Sequence, residues 1–205
     1  MPLLKEWKIG DHALAAIWKI EEPEAYFHER TGVQSDIKND RRRTEHLAGR
    51  FLLTHLKEDF PVLQIQKDEH DKPRLGNNDY FFSISHSWPY VAAVIDPYEE
   101  AGIDIQTWHP RIGIMKHKFL SEQEQAMFTD DQLLVTAWSA KEAVYKWNGK
   151  RGVEFIEQIP IDAHTNNELT ILFNSIERRA KIFVENIITT DFTCCYVNKV
   201  TLQLQ

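Results

Sequence analysis

This chain is poor in cysteine, in uninterrupted apolar runs and in positive charge. Its two cysteines, Cys194 and Cys195, are neighbours in a strand-like run. Adjacent strand residues point to opposite faces, which disfavours a mutual disulfide, and two thiols do not make a multi-cysteine zinc site. That usage suits a reducing cytoplasm. No apolar stretch is long enough to span a bilayer. The opening Met1-Pro2-Leu3-Leu4-Lys5-Glu6-Trp7 meets charge too early for a signal-peptide core. With 24 Lys and Arg against 31 Asp and Glu, the formal net charge is -7. This argues against general affinity for nucleic acid but not against a local basic patch. What is present is an ordinary globular composition, 42% hydrophobic and 27% charged over 205 residues. That is enough for one large domain or two small ones with real cores.

The stretch from Trp138 to Lys146 organises the rest. It holds two alanines, one β-branched residue and no Gly or Pro, and so predicts helix. Leu133, Ala137, Ala140, Val144 and Trp147 recur at three- and four-residue spacing as an apolar stripe. Trp138, Lys141, Glu142, Tyr145 and Lys146 fall on the other side. A solvated face seldom carries both Trp and Tyr, so this side too is expected to be covered. Asp130 and Asp131 suit the positive end of the helix, and Asn148-Gly149 closes it.

Upstream, Trp7 to Ile20 reads as two short strands around Gly10-Asp11, and Pro23 to Arg30 as a short helix ended by Thr31-Gly32. A longer helix is expected from Asn39 to Asp59, with Arg41, Arg42, Arg43 and Arg50 in its first half. A solvated face and a phosphate or acidic-partner site account for these arginines equally well. Val62 to Gln66 reads as a strand, and Asp71-Lys72-Pro73 as a turn. Phe81 to Ser87 and Tyr90 to Ile95 read as two strands whose connection carries Ser85 and His86, donors suited to an oxyanion. A serine-hydrolase site is disfavoured, because neighbours on a strand point apart and no nucleophile elbow surrounds them. Polar Pro97 to Glu100 marks a boundary, dividing the chain into residues 1–98 and 99–205. In the strand Ala101 to Gln106, alternation sets Asp104 and Gln106 opposite Ile103 and Ile105. A carboxylate there is costly to bury unless paired or metal-bound. Ser121 with Glu124 three residues on is a capping-box pattern. Beyond Gly152, strands are expected at Glu168–Phe173, Ala180–Glu185, Phe192–Val197 and Thr201–Leu204.

Three blocks, Phe82-Ser83-Ile84-Ser85-His86-Ser87, Gly102-Ile103-Asp104-Ile105-Gln106 and Trp138 to Lys146, stand in an order and spacing that resembles the 4'-phosphopantetheinyl transferase superfamily. The resemblance is to its long single-chain form, which activates surfactin and enterobactin synthetases. Phe119 to Glu124 matches a further block of that family. The resemblance implies an α+β fold of two similar halves, a pseudo-dimer in which each small sheet packs on a long helix, with the site at their junction. It implies transfer of the phosphopantetheine arm of coenzyme A to a serine of an apo acyl or peptidyl carrier, releasing adenosine 3',5'-bisphosphate. Mg2+, or Mn2+ in its place, would be held by Asp104 and Glu142 with Gln106 beside them. Glu142 would also take the serine proton, and Lys146 would contact the phosphates. Lys72, Ser85 and His86 would hold the 3'-phosphate, with Arg43, Arg50 and Lys141 as further nucleotide contacts. The first half would thus bind the nucleotide and the second carry the metal and the chemistry. Trp138 would be packing that fixes the helix.

Many relatives have Glu where this chain has Gln106, leaving two protein carboxylates rather than three. Glu124 is a further acidic candidate beside its capping role. Acidic carriers call for a local positive surface, for which Arg41, Arg42, Lys57, Lys116 and Lys118 are available. The expectation is a cytoplasmic monomer with no nucleic-acid or membrane partner. A coenzyme A-binding protein that has lost the chemistry is the alternative, with Gln106 as the sign of decay. Retention of Asp104, Glu142 and Lys146 argues against it. A phosphodiesterase acting on pyrophosphates would use the same ligands but need no protein acceptor.

Overall fold

The computed structural model describes residues 2–77, 79–109 and 111–203, without the side chain of Gln203. The chain is α+β, with small antiparallel sheets and helices in two compact units, Met1–Ala101 and Gly102–Gln205. None of its described helices is long and apolar enough to cross a membrane.

In the first unit, β1 (Leu3–Ile9) and β2 (Ala13–Lys19) form a hairpin whose turn begins at Gly10, left-handed at φ 56. β5 (Phe81–Ser87) and β6 (Tyr90–Asp96) complete a sheet of order β1-β2-β6-β5. The short α1 (Glu24–Thr31) runs from Pro23 to a left-handed Gly32. The longer α2 (Asp40–Leu56) starts where Asn39 accepts from the Arg42 amide, and its Leu47, Ala48, Phe51 and Leu52 join Trp18, Phe82, Val91 and Ala93 in one apolar cluster. Val62–Gln64 is a 3-10 turn after Pro61, so the strand expected there shrinks to β3 (Ile65–Lys67), paired with β4 (Pro73–Leu75).

In the second unit the sheet order is β7-β11-β10-β9-β8, built from β7 (Ile103–Thr107), β8 (Ile161–His164), β9 (Glu168–Asn174), β10 (Arg179–Ile188) and β11 (Phe192–Gln203). β11 runs on without a break, so Thr201 continues it rather than opening a strand of its own, and Leu204 lies outside the described residues. Short helices α3 (Ile112–Met115), α4 (Glu122–Met127) and α6 (Phe155–Gln158) flank the long α5 (Asp131–Asn148). α3, α6 and β8 are each only four residues long, too short to show a period in the sequence. The stripe of α5 shares a core with Leu169, Ile171, Ile182, Val184 and Cys195.

Candidate active site

Two short-range devices fix α5. Asp130 caps it by accepting from the Leu133 amide at 2.8 Å, and left-handed Gly149 ends it. At the other side of the contact, β7 is entered through Gly102. A Cβ on Gly102 would stand 2.1 Å from the Ala143 carbonyl oxygen and 2.9 Å from the Trp147 amide nitrogen, so peptide meets peptide and only Gly fits. Asp104 follows two residues later. The Ser139 hydroxyl on α5 donates to the Asp104 carbonyl at 3.2 Å, which keeps the strand against the helix.

The Asp104 side chain is buried, 1% exposed, and both oxygens are engaged. Oδ1 accepts from Lys146 Nζ at 2.7 Å and Oδ2 from Gln106 Nε2 at 2.9 Å. Glu142 sits one helical turn before Lys146. Burial pushes its carboxyl up to about 7, the charge of Asp104 pushes the same way, and Lys146 opposes. So Asp104, Gln106, Glu142 and Lys146 are brought together, with two acids close enough to repel and one ammonium compensating them. Among the described residues no group of three or more His, Cys, Asp or Glu gathers as a metal centre. The donors on hand are two carboxylates and one amide oxygen, all hard. They suit a divalent cation such as Mg2+, which keeps several waters. Gln106 meets such a cation only by turning its amide and giving up its bond to Asp104.

The expected cover on the far side of α5 is aromatic. Trp138 packs edge-on to Phe119 at 5.1 Å between centroids and against Phe155 at 5.4 Å, and Tyr145 lies 5.9 Å from Phe155. Beneath it lies Lys141. It is 0% exposed, its ammonium 2.6 Å from Glu124 Oε1 and 3.0 Å from the Phe155 carbonyl. Burial lowers its pKa while Glu124 supports the charge. Glu124 Oε2 closes the capping box on the Ser121 amide at 2.7 Å, and Oε1 accepts from Ile161 at 2.8 Å. Both residues are consumed in tying α4, α5, α6 and β8 together. Lys141 and Glu124 thus hold each other below the surface of this unit.

Anion-binding candidates cluster in the first unit. Lys72 Nζ meets Glu100 Oε2 at 2.7 Å, and Arg74 joins Glu100 at 2.6 Å and Asp68 at 2.9 Å. Ser85 is buried on β5, while His86 is half-exposed. Arg43 is already engaged: Glu24, the Ile37 carbonyl and Asp40 take its guanidinium at 2.8, 2.8 and 2.9 Å. It staples α1 to α2. Arg50 differs. Burial lowers its pKa, and no carboxylate among the described residues pairs with it. One turn before it on α2, His46 is pushed down to about 4, first by burial and then by Arg50, His86 and Lys67. Sequence reasoning passed over His46. The signal was its spacing of four from Arg50, on the side of α2 that carries the desolvated arginine.

Residues 100–197 match the sequence profile of the 4'-phosphopantetheinyl transferase superfamily. The 4'-phosphopantetheinyl transferase AcpT of Escherichia coli O157:H7 is 28% identical over 155 residues, covering 71% of this chain and 77% of that protein. The protein of the same name from Escherichia coli strain K12 matches to the same extent. The matched profile spans Asp104, Gln106, Glu142 and Lys146, so the segment that carries these residues is similar to the 4'-phosphopantetheinyl transferase superfamily.

Proposed function

We propose that this protein transfers the 4'-phosphopantetheine arm of coenzyme A to a serine of an apo acyl or peptidyl carrier protein, as a long single-chain member of its superfamily. The observation that carries the reading is one side of α5, where Glu142 and Lys146 stand a turn apart and Lys146 holds Asp104 at 2.7 Å. The serine oxygen attacks the pyrophosphate phosphorus that bears the pantetheine arm. A new P–O bond forms there as the bond to adenosine 3',5'-bisphosphate breaks. The serine proton passes to Glu142, whose carboxyl near 7 is poised to exchange a proton at neutral pH. Lys146 offsets the charge that gathers on the transferred phosphoryl group. Asp104 and Glu142, with the Gln106 amide oxygen, are the residues that would hold Mg2+ or Mn2+; when bound, the ion screens the pyrophosphate from the acids and polarises the phosphorus.

The 3'-phosphate of coenzyme A is assigned to Lys72, Ser85 and His86, with Arg50 as the supporting cation. A desolvated guanidinium without a carboxylate partner supports a role for Arg50 in binding an anion from outside. Each unit also pairs a sheet with one long helix, which supports the pseudo-dimer reading. Action in the cytoplasm as a monomer completes the proposal.

The test is mass spectrometry of a panel of apo carriers incubated with the protein, coenzyme A and Mg2+. Gain of one phosphopantetheine mass on the target serine, lost with Glu142→Gln, is the expected result. Binding of coenzyme A with no transfer to any carrier would leave a binding protein, and phosphopantetheine released to water would mark a phosphodiesterase.

A further inference from the structure

The cationic cluster on α2 contains an acid that the proposed reaction does not use. Glu45 is 5% exposed, on the helix that also carries Arg41, His46 and Arg50. Its Oε2 lies 3.3 Å from Nδ1 of His86 on β5, and its Oε1 accepts from Arg41 Nε at 3.4 Å. A carboxylate taken out of water needs such partners. Of the two, Arg41 is largely exposed and reaches out beside Trp88. The other partner is the imidazole of β5. A carboxylate on Nδ1 keeps the ring proton there, fixes the ring's orientation and favours the charged form. His46 stands nearby, where Arg50 from α2, Lys67 from β3 and His86 all act on it as positive charges.

We propose that Glu45 is a positioning residue of a phosphate-monoester subsite in the first unit, holding His86 through Nδ1–H so that the doubly protonated ring presents its Nε2–H to the anion. The inference rests on the assignment of the coenzyme's 3'-phosphate to His86 and its neighbours. Glu45 touches no ligand itself. It sets the orientation of the residue that does and supports its imidazolium form.

The test compares coenzyme A with 3'-dephospho-coenzyme A by calorimetry between pH 6 and 8. The full-length protein is used as the parent chain, Glu45→Leu, Glu45→Gln, His86→Ala and the Glu45→Leu/His86→Ala double variant. The parent chain is expected to prefer coenzyme A. Glu45→Leu should cut that preference about tenfold, as loss of an orienting partner does, while affinity for the dephospho form is unmoved. In the His86→Ala background the Glu45 substitution should change the preference no further. Nitrogen-15 spectra of the neutral His86 ring should show the proton on Nδ1 in the parent chain and shift toward Nε2–H in Glu45→Leu. Glu45→Gln, which keeps shape and an acceptor, serves where Glu45→Leu does not fold. It should hold the tautomer but lose the preference at a lower pH than the parent chain. Equal weakening toward both ligands, or a Glu45 effect that survives His86→Ala, overturns the inference. A parent chain that does not discriminate between the two ligands overturns the subsite assignment and the inference with it. A parent chain that discriminates, with a Glu45→Leu variant that discriminates as well, overturns only the role of Glu45.

Discussion

Glu142 is displaced from an ordinary carboxyl chiefly by burial, with Asp104 adding to it. Its value rises from 4.5 to about 7, so folding favours the protonated form. The stability it contributes is complete below pH 4.5 and lost as the pH rises through 7. Metal-free Glu142→Gln is therefore expected to exceed the parent chain at pH 8 by about 1–3 kcal/mol, and to match it at pH 4. Urea unfolding at both values checks this; a variant no better at pH 8 sinks it. Gln106→Glu adds a third carboxylate beside Asp104, so half-saturation by Mg2+, read as a thermal shift, should fall severalfold at the expense of metal-free stability. A Mg2+ response identical to that of the parent chain would refute that. His46 runs the opposite way. Held at about 4 against an ordinary 6.5, it supports stability above 6.5 that is lost as the pH falls through 4, and His46→Gln should blunt that acid loss. Cys195 is fully buried with its thiol pushed up to about 12, and Cys194 is buried as well. Neither should react with a thiol reagent at pH 8 until the chain unfolds.

Helices and strands explain which residues could be read in advance. Asp104 and Glu142 each sit in a regular element, where a period of two or 3.6 fixes the side. Lys141 shares the helix face of Glu142, and the helical wheel gave the two equal standing. Only the arrival of α4 and α6 from elsewhere in the chain encloses the lysine and not the glutamate beside it. Arg43 and Arg50 divide for the same reason, because Glu24 comes from α1 and reaches one but not the other. Local spacing carries no information on such partners. The tie through Glu124 and Lys141 should be the more costly to break. Lys141→Ala leaves Glu124 charged and enclosed, with an expected loss of about 3–5 kcal/mol. Replacing both residues, as Glu124→Gln with Lys141→Met, should lose less. Equal losses in chemical unfolding would show that charge is not what matters there. Asp130→Ala removes one cap and should lower stability by about 1 kcal/mol.

At the scale of the molecule, an overall charge of -7 repels acidic carriers, yet Arg41, Arg42 and Lys118 are exposed. Lys57 is already paired with Asp59 at 2.5 Å and has less to offer. If these exposed cations steer an acidic carrier, kcat/KM for the carrier should drop about threefold or more between low salt and ~0.5 M, while KM for coenzyme A moves separately. A rate flat with ionic strength would remove the steering role. The composition that left room for one large core or two small ones said nothing of where charges lie, because exposure is a property of the finished fold. The crossing at Gly102 bears on the molecule's tolerance to change. Apolar neighbours of α5 can be exchanged for others of like volume without altering the spacing of the two acids, since that spacing is gauged by peptide atoms. A lone methyl at position 102 would prise the strand outward and carry Asp104 with it, so a change at this one point reaches the acids directly.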